Sequence, residues 1–343
     1  MLYVTTRNNK DVYTAHRALI NHRGPDGGLY VPFREPQLSR EEISAFSEKR
    51  FGDRVAEILN LLLGMKLTGW DVDLAIGRYP VRMESMGHRV VMGECWHNLE
   101  QDFAQTRNLL VRKLYPEADG RSGSWADISV RIAILFGIFG ELMRRGLAGE
   151  ENPVDISAVS GDFSWPVSAW YARRWGLPIG NIVCACNEND NLWNLLCHGQ
   201  MKTGDIALPT ITPEADIVVP SGLERLIHSC AGAEEVERYL DVVRRGGIYY
   251  ASDRLLHTMR QGVYVTVTSQ HRIMDTISSI YRSYGYILSP CSALTFAGLQ
   301  DYRARTGESR TALVLTEKSP LRDASVVSNA LAISEEALRN FFE

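Results

Sequence analysis

The chain has 343 residues, 45% of them hydrophobic and 23% charged, enough to bury a sizeable core in one or two domains. Its net charge of −4 and the absence of any extended Lys/Arg run exclude a nucleic-acid stripe, since phosphate binding draws on concentrated positive charge. The longest apolar stretch, Ile132–Leu142, is too short and too glycine-interrupted to span a bilayer; no basic and apolar signal pattern opens the chain, so a cytoplasmic protein is expected.

Taken in chain order, Met1–Arg7 reads as a short strand and Val12–Asn21 as a helical stretch. Arg23–Gly28 has the composition of a turn, and Leu29–Pro32 that of a second short strand. Ser39 with Glu42 is a capping box, each side chain satisfying the other's orphan backbone donor, and residues 51–65 are amphipathic. The densest loop signal is Tyr115–Ser124, rich in Pro, Gly, Ser and Asp. Beyond it the pattern predicts a helix over 125–145, a strand over Val154–Val159, a turn at Ser160–Ser164 and a helix over 166–175. Gly176-Leu177-Pro178 stops that helix, and a strand follows over 181–186. Strand, helix and strand at this spacing form a βαβ unit, so the expected architecture is a three-layer α/β sandwich around a mainly parallel sheet. The last third repeats the theme with a helix over Cys291–Ala304, a strand over Thr311–Leu315 and a closing helix opened by Ser334.

Six cysteines without framework spacing point to reduced thiols. Cys184, Cys186, Cys197 and His198 have the residue types of a metal cluster, but Cys184 and Cys186 sit in the apolar run 181–186 and are expected as core thiols, with no metal.

Several separated motifs, in order along nearly the whole chain, resemble the threonine synthase family of fold-type II pyridoxal-phosphate enzymes. Tyr3–Arg7 followed by Gly24–Pro32 is similar to that family's N-terminal signature. Ser160–Phe163, Trp170–Ile179, Cys186–Asp190, Thr210–Ile217, Gly222–Leu226, Ser289–Ala293 and Leu315–Pro320 resemble its later segments. The resemblance implies a tryptophan-synthase-β-like large domain over 91–343, preceded by an N-terminal region over 1–90.

The departures from the family are specific. Its Schiff-base lysine is expected in the segment that here reads Glu94–Phe103, and Gln101 stands in its place. A carboxamide forms no imine and shuttles no protons as an amine would. The family's phosphate loop corresponds to Gly161-Asp162-Phe163-Ser164, followed by Trp165. Asp162 places a carboxylate where a phosphate dianion would sit, and Ser164 replaces a glycine that allows close backbone approach. The plainer reading is that Asp162 caps the next helix. Pyridoxal phosphate is therefore disfavoured by Gln101 and Asp162, and no other cofactor is implied. The family's partner to the pyridine nitrogen falls at Thr316 or Glu317, with the register left open. Only Leu114–Ser124 spans the place of the family's small lid domain, which is expected to be missing at about 114–124.

These readings give His97, Gln101, Asp102 and Glu317 as candidate acid–base residues. Gly161, Asp162, Phe163, Ser164, Trp165, Asn187, Glu188, Asn189, Ser292 and Thr316 are candidate ligand-binding residues. Each has a structural counterpart: His97 as a packing residue beside Trp96, Asp102 as a partner of a helix dipole, and Asn187–Asp190 as a hydrogen-bonded turn. Trp170 and Trp175 are expected to pack rather than to line a site. The expected function is a cofactor-independent role in biosynthesis on a small, amino-acid-like metabolite, by a homodimer. The alternatives are a non-catalytic protein that binds a metabolite or an active partner, and a pyridoxal-phosphate lyase or transferase using another lysine.

Overall fold

Two strands decide the architecture. Ile179–Cys186 sends Ile182, Cys184 and Cys186 into one core and Val183 and Ala185 into another. Ala312–Thr316 divides Leu313 and Leu315 from Ala312 and Val314 in the same way. Strands apolar on both faces need a helical layer on each, and this is what the chain builds. The computed structural model describes residues 1–78, 81–87, 89–96 and 102–342.

The strands are β1 (Leu2–Thr5), β2 (Tyr13–Thr14), β3 (Tyr30–Pro32), β4 (Arg82–Ser85), β5 (Val90–Glu94), β6 (Val154–Val159), β7 (Ile179–Cys186), β8 (Gln200–Lys202), β9 (Ile248–Tyr250), β10 (Val263–Val267) and β11 (Ala312–Thr316). The main sheet runs β10-β7-β6-β11-β5-β4, parallel throughout except for β4, which pairs antiparallel with β5. One face is covered by the helices Phe51–Leu63, Trp125–Arg144 and Ser164–Arg174, the other by Gln270–Tyr284 and Pro290–Thr306. β1, β2 and β3 form a small antiparallel sheet, and β8 and β9 a two-stranded one. Tyr3 of β1 packs edge-on against Trp125 at 5.3 Å, so the N-terminal sheet shares the core of the first face.

Local rules account for most element ends. The Ser39/Glu42 capping box forms in both directions, and Ser124, Ser289 and Ser334 each accept a backbone N–H at a helix start. The expected helix at 12–21 is shorter in the structure. Tyr13 and Thr14 pair with β1, and Thr14 then caps the helix Ala15–Ile20 by accepting from Arg17 N. The sheet edge wins because β1 has unpaired backbone groups on that side. Cys184 and Cys186 are core thiols, whereas Cys197 is exposed; among the described residues no three His, Cys, Asp or Glu side chains gather as metal ligands. Among the described residues no helix is long and apolar enough to cross a membrane.

Candidate functional site

Ligands in α/β sheets bind beyond the carboxyl ends of the strands, where the strand order reverses. That place lies between β6, which leads on to β7 and β10, and β11, which lies against β5. A cleft of about 280 Å³ opens there. Its walls include Val159–Asp162 and Ser164–Trp165 after β6, Glu317 and Lys318 after β11, and Asp102, Arg107, Ser122, Arg131 and Glu214. A small recess behind it, about 20 Å³, adds Cys291, Ser292, Thr295 and Thr316.

Charge in the cleft is organised by one buried residue. Asp127, wholly buried in the Trp125–Arg144 helix, accepts from Arg131 Nε at 3.0 Å, Arg107 Nη1 at 3.2 Å and Gly123 N at 2.8 Å. Burial would push its carboxyl up, but the Arg131 and Arg107 guanidiniums and the Gly123 amide hold it below the ordinary carboxylate value. Arg131 packs against the rings of Phe103 and Trp165, at 4.6 and 4.7 Å from their centroids, while the two rings touch each other at 4.8 Å. It also donates to Glu317 Oε1 at 2.8 Å, and Trp165 Nε1 donates to the same oxygen at 2.7 Å. Among the described residues, the second oxygen of Glu317 has no partner, and the side chain is 28% exposed.

The turn after β6 is closed by its own carboxylate. Asp162 Oδ1 accepts from Ser164 N at 2.9 Å, the first amide of the Ser164–Arg174 helix, and Oδ2 accepts from the Ser122 hydroxyl. Phe163 adopts a left-handed conformation at φ 72°, which turns the chain into that helix. Gly222 supports the turn from below. Its N–H donates to Asp162 O at 2.8 Å, and a Cβ there would lie 2.8 Å from that oxygen and 3.1 Å from Phe163 C. Both are backbone atoms, so Gly222→Ala is expected to cost about 1–3 kcal/mol, read as a fall in unfolding free energy in urea.

The sequence-derived candidates divide. Asp102, Gly161, Asp162, Ser164, Trp165 and Glu317 line the cleft, and Ser292 and Thr316 line the recess. Phe163 is fully buried beneath the turn. Asp102 is the N-cap of the Phe103–Leu114 helix, in a capping box with Gln105. Thr316 Oγ1 accepts from Trp96 Nε1 at 3.2 Å, and Thr316 ends β11, so Glu317 is the first residue beyond the sheet. His97 and Gln101 lie outside the described residues.

Asn187, Glu188 and Asn189 do not line the cleft. Asn187 is buried and clamps the 210–216 segment, donating to Thr210 Oγ1 at 2.8 Å and Asp216 Oδ1 at 2.7 Å. Glu188 accepts from Gln270 N at 2.8 Å, and Asn189 donates to Leu208 O at 3.0 Å. Trp170 and Trp175 are packed in the core. Sequence reasoning missed Arg107, Arg131, Glu214, Cys291 and Lys318. Arg131 carried a signal: a lone charge in an otherwise apolar helix face, four residues after Asp127.

Residues 2–77 match the family model described as threonine synthase N terminus. The chain is 27% identical over 182 residues to threonine synthase of Pseudomonas aeruginosa, covering 52% of this chain and 38% of that protein. It is 26% identical over 232 residues to threonine synthase of Schizosaccharomyces pombe, 61% of this chain and 45% of that one. To human threonine synthase-like 1 it is 24% identical over 211 residues, 56% of this chain and 28% of that one. The matched stretch thus spans less than half of each relative's own length. Among solved structures, PLP-bound threonine synthase from Brucella melitensis is similar with a TM-score of 0.86 at 19% identity over 100% of both chains. Threonine synthase from yeast gives 0.85 at 17% identity, over 99% of this chain and 93% of that one. The fold is that of the fold-type II pyridoxal-phosphate enzymes.

Proposed function

Because this chain belongs to the threonine synthase family, we propose that its cleft takes a small, amine-bearing metabolite of amino-acid type and acts on it without pyridoxal phosphate. The observation that carries this reading is the charge left over in the cleft. Arg107, Asp127, Arg131 and Glu317 form a chain of two cations and two anions, and Lys318 pairs with Glu214. Asp162 makes no close ion pair among the described residues; it is held by a hydroxyl and an amide and shares the field of Arg131, which already serves Asp127 and Glu317. A surplus carboxylate beside a Glu317 oxygen that has no partner among the described residues favours an ammonium group and opposes a phosphate dianion. The amide that a phosphate would seek at the helix start already bonds to Asp162. The residues present therefore do not fit pyridoxal phosphate.

In this reading Glu317 receives the ammonium and exchanges a proton with it, while Arg131 and Trp165 fix the carboxylate in place. The short 115–124 connection, through Ser122, covers part of the rim where the family's lid is expected. Calorimetric titration with a panel of proteinogenic amino acids should find at least one ligand, with affinity reduced about tenfold or more in Glu317→Gln. No binding, or equal binding by the variant, would remove the basis of the reading.

Lys318 favours the alternative of a pyridoxal-phosphate enzyme with a displaced lysine, since it lines the cleft. Its ammonium is paired with Glu214, so its nitrogen is already engaged rather than free to form an imine. Incubation with pyridoxal phosphate and borohydride should leave Lys318 unmodified. A reduced pyridoxyl adduct mapped to Lys318 would establish that alternative instead.

A further inference from the structure

Behind the cleft, two reactive side chains meet on the carboxylate of a third. Cys291 Sγ donates to Glu214 Oε2 at 3.0 Å, and Lys318 Nζ pairs with Glu214 Oε1. The three come from separate elements. Cys291 is the second residue of the Pro290–Thr306 helix, and Lys318 follows β11. Glu214 sits in the Pro213–Ala215 turn, inside the 210–216 segment that Asn187 clamps. That gives the clamp a purpose beyond packing: it fixes the backbone that carries Glu214.

Cys291 differs from the other cysteines. Cys95, Cys184, Cys186 and Cys230 are core thiols and Cys197 is on the surface, whereas Cys291 is partly exposed and lines the recess. Burial pushes its thiol well up, so at neutral pH it is a protonated donor that needs a base at the moment of attack. Glu214 is within reach of that proton, and its charge is held by Lys318. Cys291 lies in the first turn of its helix, where the helix dipole favours negative charge.

We propose that Cys291 is a nucleophile that accepts a small acyl group from an ester or thioester, with Glu214 as its general base and Lys318 as a positioning residue. The Cys291 thiol proton passes to Glu214 as Sγ forms a bond to the carbonyl carbon. The bond to the leaving oxygen or sulfur breaks, and the alcohol or thiol departs with the proton from Glu214. The ammonium held in the cleft first gives one proton to Glu317, and the free amine then attacks the thioester on Cys291 and loses a second proton to Glu214. An amide forms, and the thiol is regenerated with that proton. The recess, about 20 Å³, holds little more than a water-sized group, so the acyl group is small and extends from Cys291 into the adjoining cleft. The transfer step rests on the amine-binding reading above, whereas the acylation step does not.

Acylation is therefore measured first, with p-nitrophenyl acetate and no amine, on the whole chain. One acetyl group should appear, mapped to Cys291, faster than any label on Cys197. Glu214→Gln should slow it about a hundredfold, as loss of a general base does. Lys318→Met should move the acid limb of the rate–pH profile upward, because Glu214 loses its cation, and Lys318→Arg should restore it. Acetylation of Cys291 no faster than Cys197, or at an unchanged rate in Glu214→Gln, would overturn the proposal. If acylation stands but a cleft-binding amino acid does not speed deacylation, the acceptor assignment fails and the nucleophile remains.

Discussion

Asp127→Ala is expected to lower the unfolding free energy by about 3–5 kcal/mol, the cost of leaving buried charge uncompensated. Asp127 is fully buried, and its two guanidinium partners are 7% and 6% exposed, so solvent offers little relief. Removing the carboxylate leaves Arg107 and Arg131 facing each other and strands the Gly123 amide, which closes the loop entering the helix. Removing one guanidinium is milder: Arg107→Met leaves Asp127 still paired with Arg131. The pH dependence has a definite sign. The folded carboxyl is held below its ordinary value, so its contribution is complete above the unfolded pKa of about 3.9 and is lost as pH falls through the folded value. Urea unfolding from neutral to acid pH should show a steep acid limb in the wild type. That limb should flatten in Asp127→Asn. An Asp127→Ala loss under 1 kcal/mol would mean that the arginines find water or other partners.

The same helix shows where sequence reasoning reaches and where it stops. Helical patterning after the loop-rich break placed the helix at 125–145, within a residue of Trp125–Arg144. The near-continuous apolar run at 181–186 predicted a buried strand, and β7 is buried on both faces. These features are local, so the residues themselves report them. The motif resemblance located the turn at Ser160–Ser164 and the end of β11, both of which line the cleft. It could not report what had been brought there from elsewhere. Glu214 and Cys291 are 77 positions apart, and Arg131 and Glu317 are 186 apart. Nothing near any of these four residues encodes its partner. Asn187 misled for the opposite reason: a polar cluster after a parallel strand fits a ligand loop, yet here its hydrogen bonds are spent on the 210–216 segment. A side chain's role depends on whether the fold leaves its polar atoms unsatisfied, which pattern alone does not show.

That criterion makes Asp162 the most informative position in the cleft. Asp162→Asn is expected to tighten binding of inorganic phosphate at least tenfold. Asparagine keeps an oxygen that accepts from Ser164 N, so the turn and the helix start stay formed. The charge is lost, and the Ser122 hydroxyl must turn from donor to acceptor opposite the new amide nitrogen. Unit charges about 4 Å apart interact by about 1 kcal/mol in water and about 4 kcal/mol at an effective dielectric near 20. Asp162 sits at an open rim rather than in the core, which places the effect toward the lower figure; the double charge of phosphate raises it again. The remaining ion pairs of the cleft then balance, so the repulsion is gone and the positive end of the helix dipole is left to favour an anion. The gain should shrink with added salt, since rim charges are screened within about 10 Å at 0.1 M. Amino-acid binding should move the other way and weaken in the same variant. Titration of both ligands into wild type and variant at low and high salt would check this. Opposite shifts mean that Asp162 selects for amines over phosphates. Equal phosphate affinity in the two proteins would mean that its carboxylate is merely a helix cap, and the cleft's preference would then have to come from Glu317.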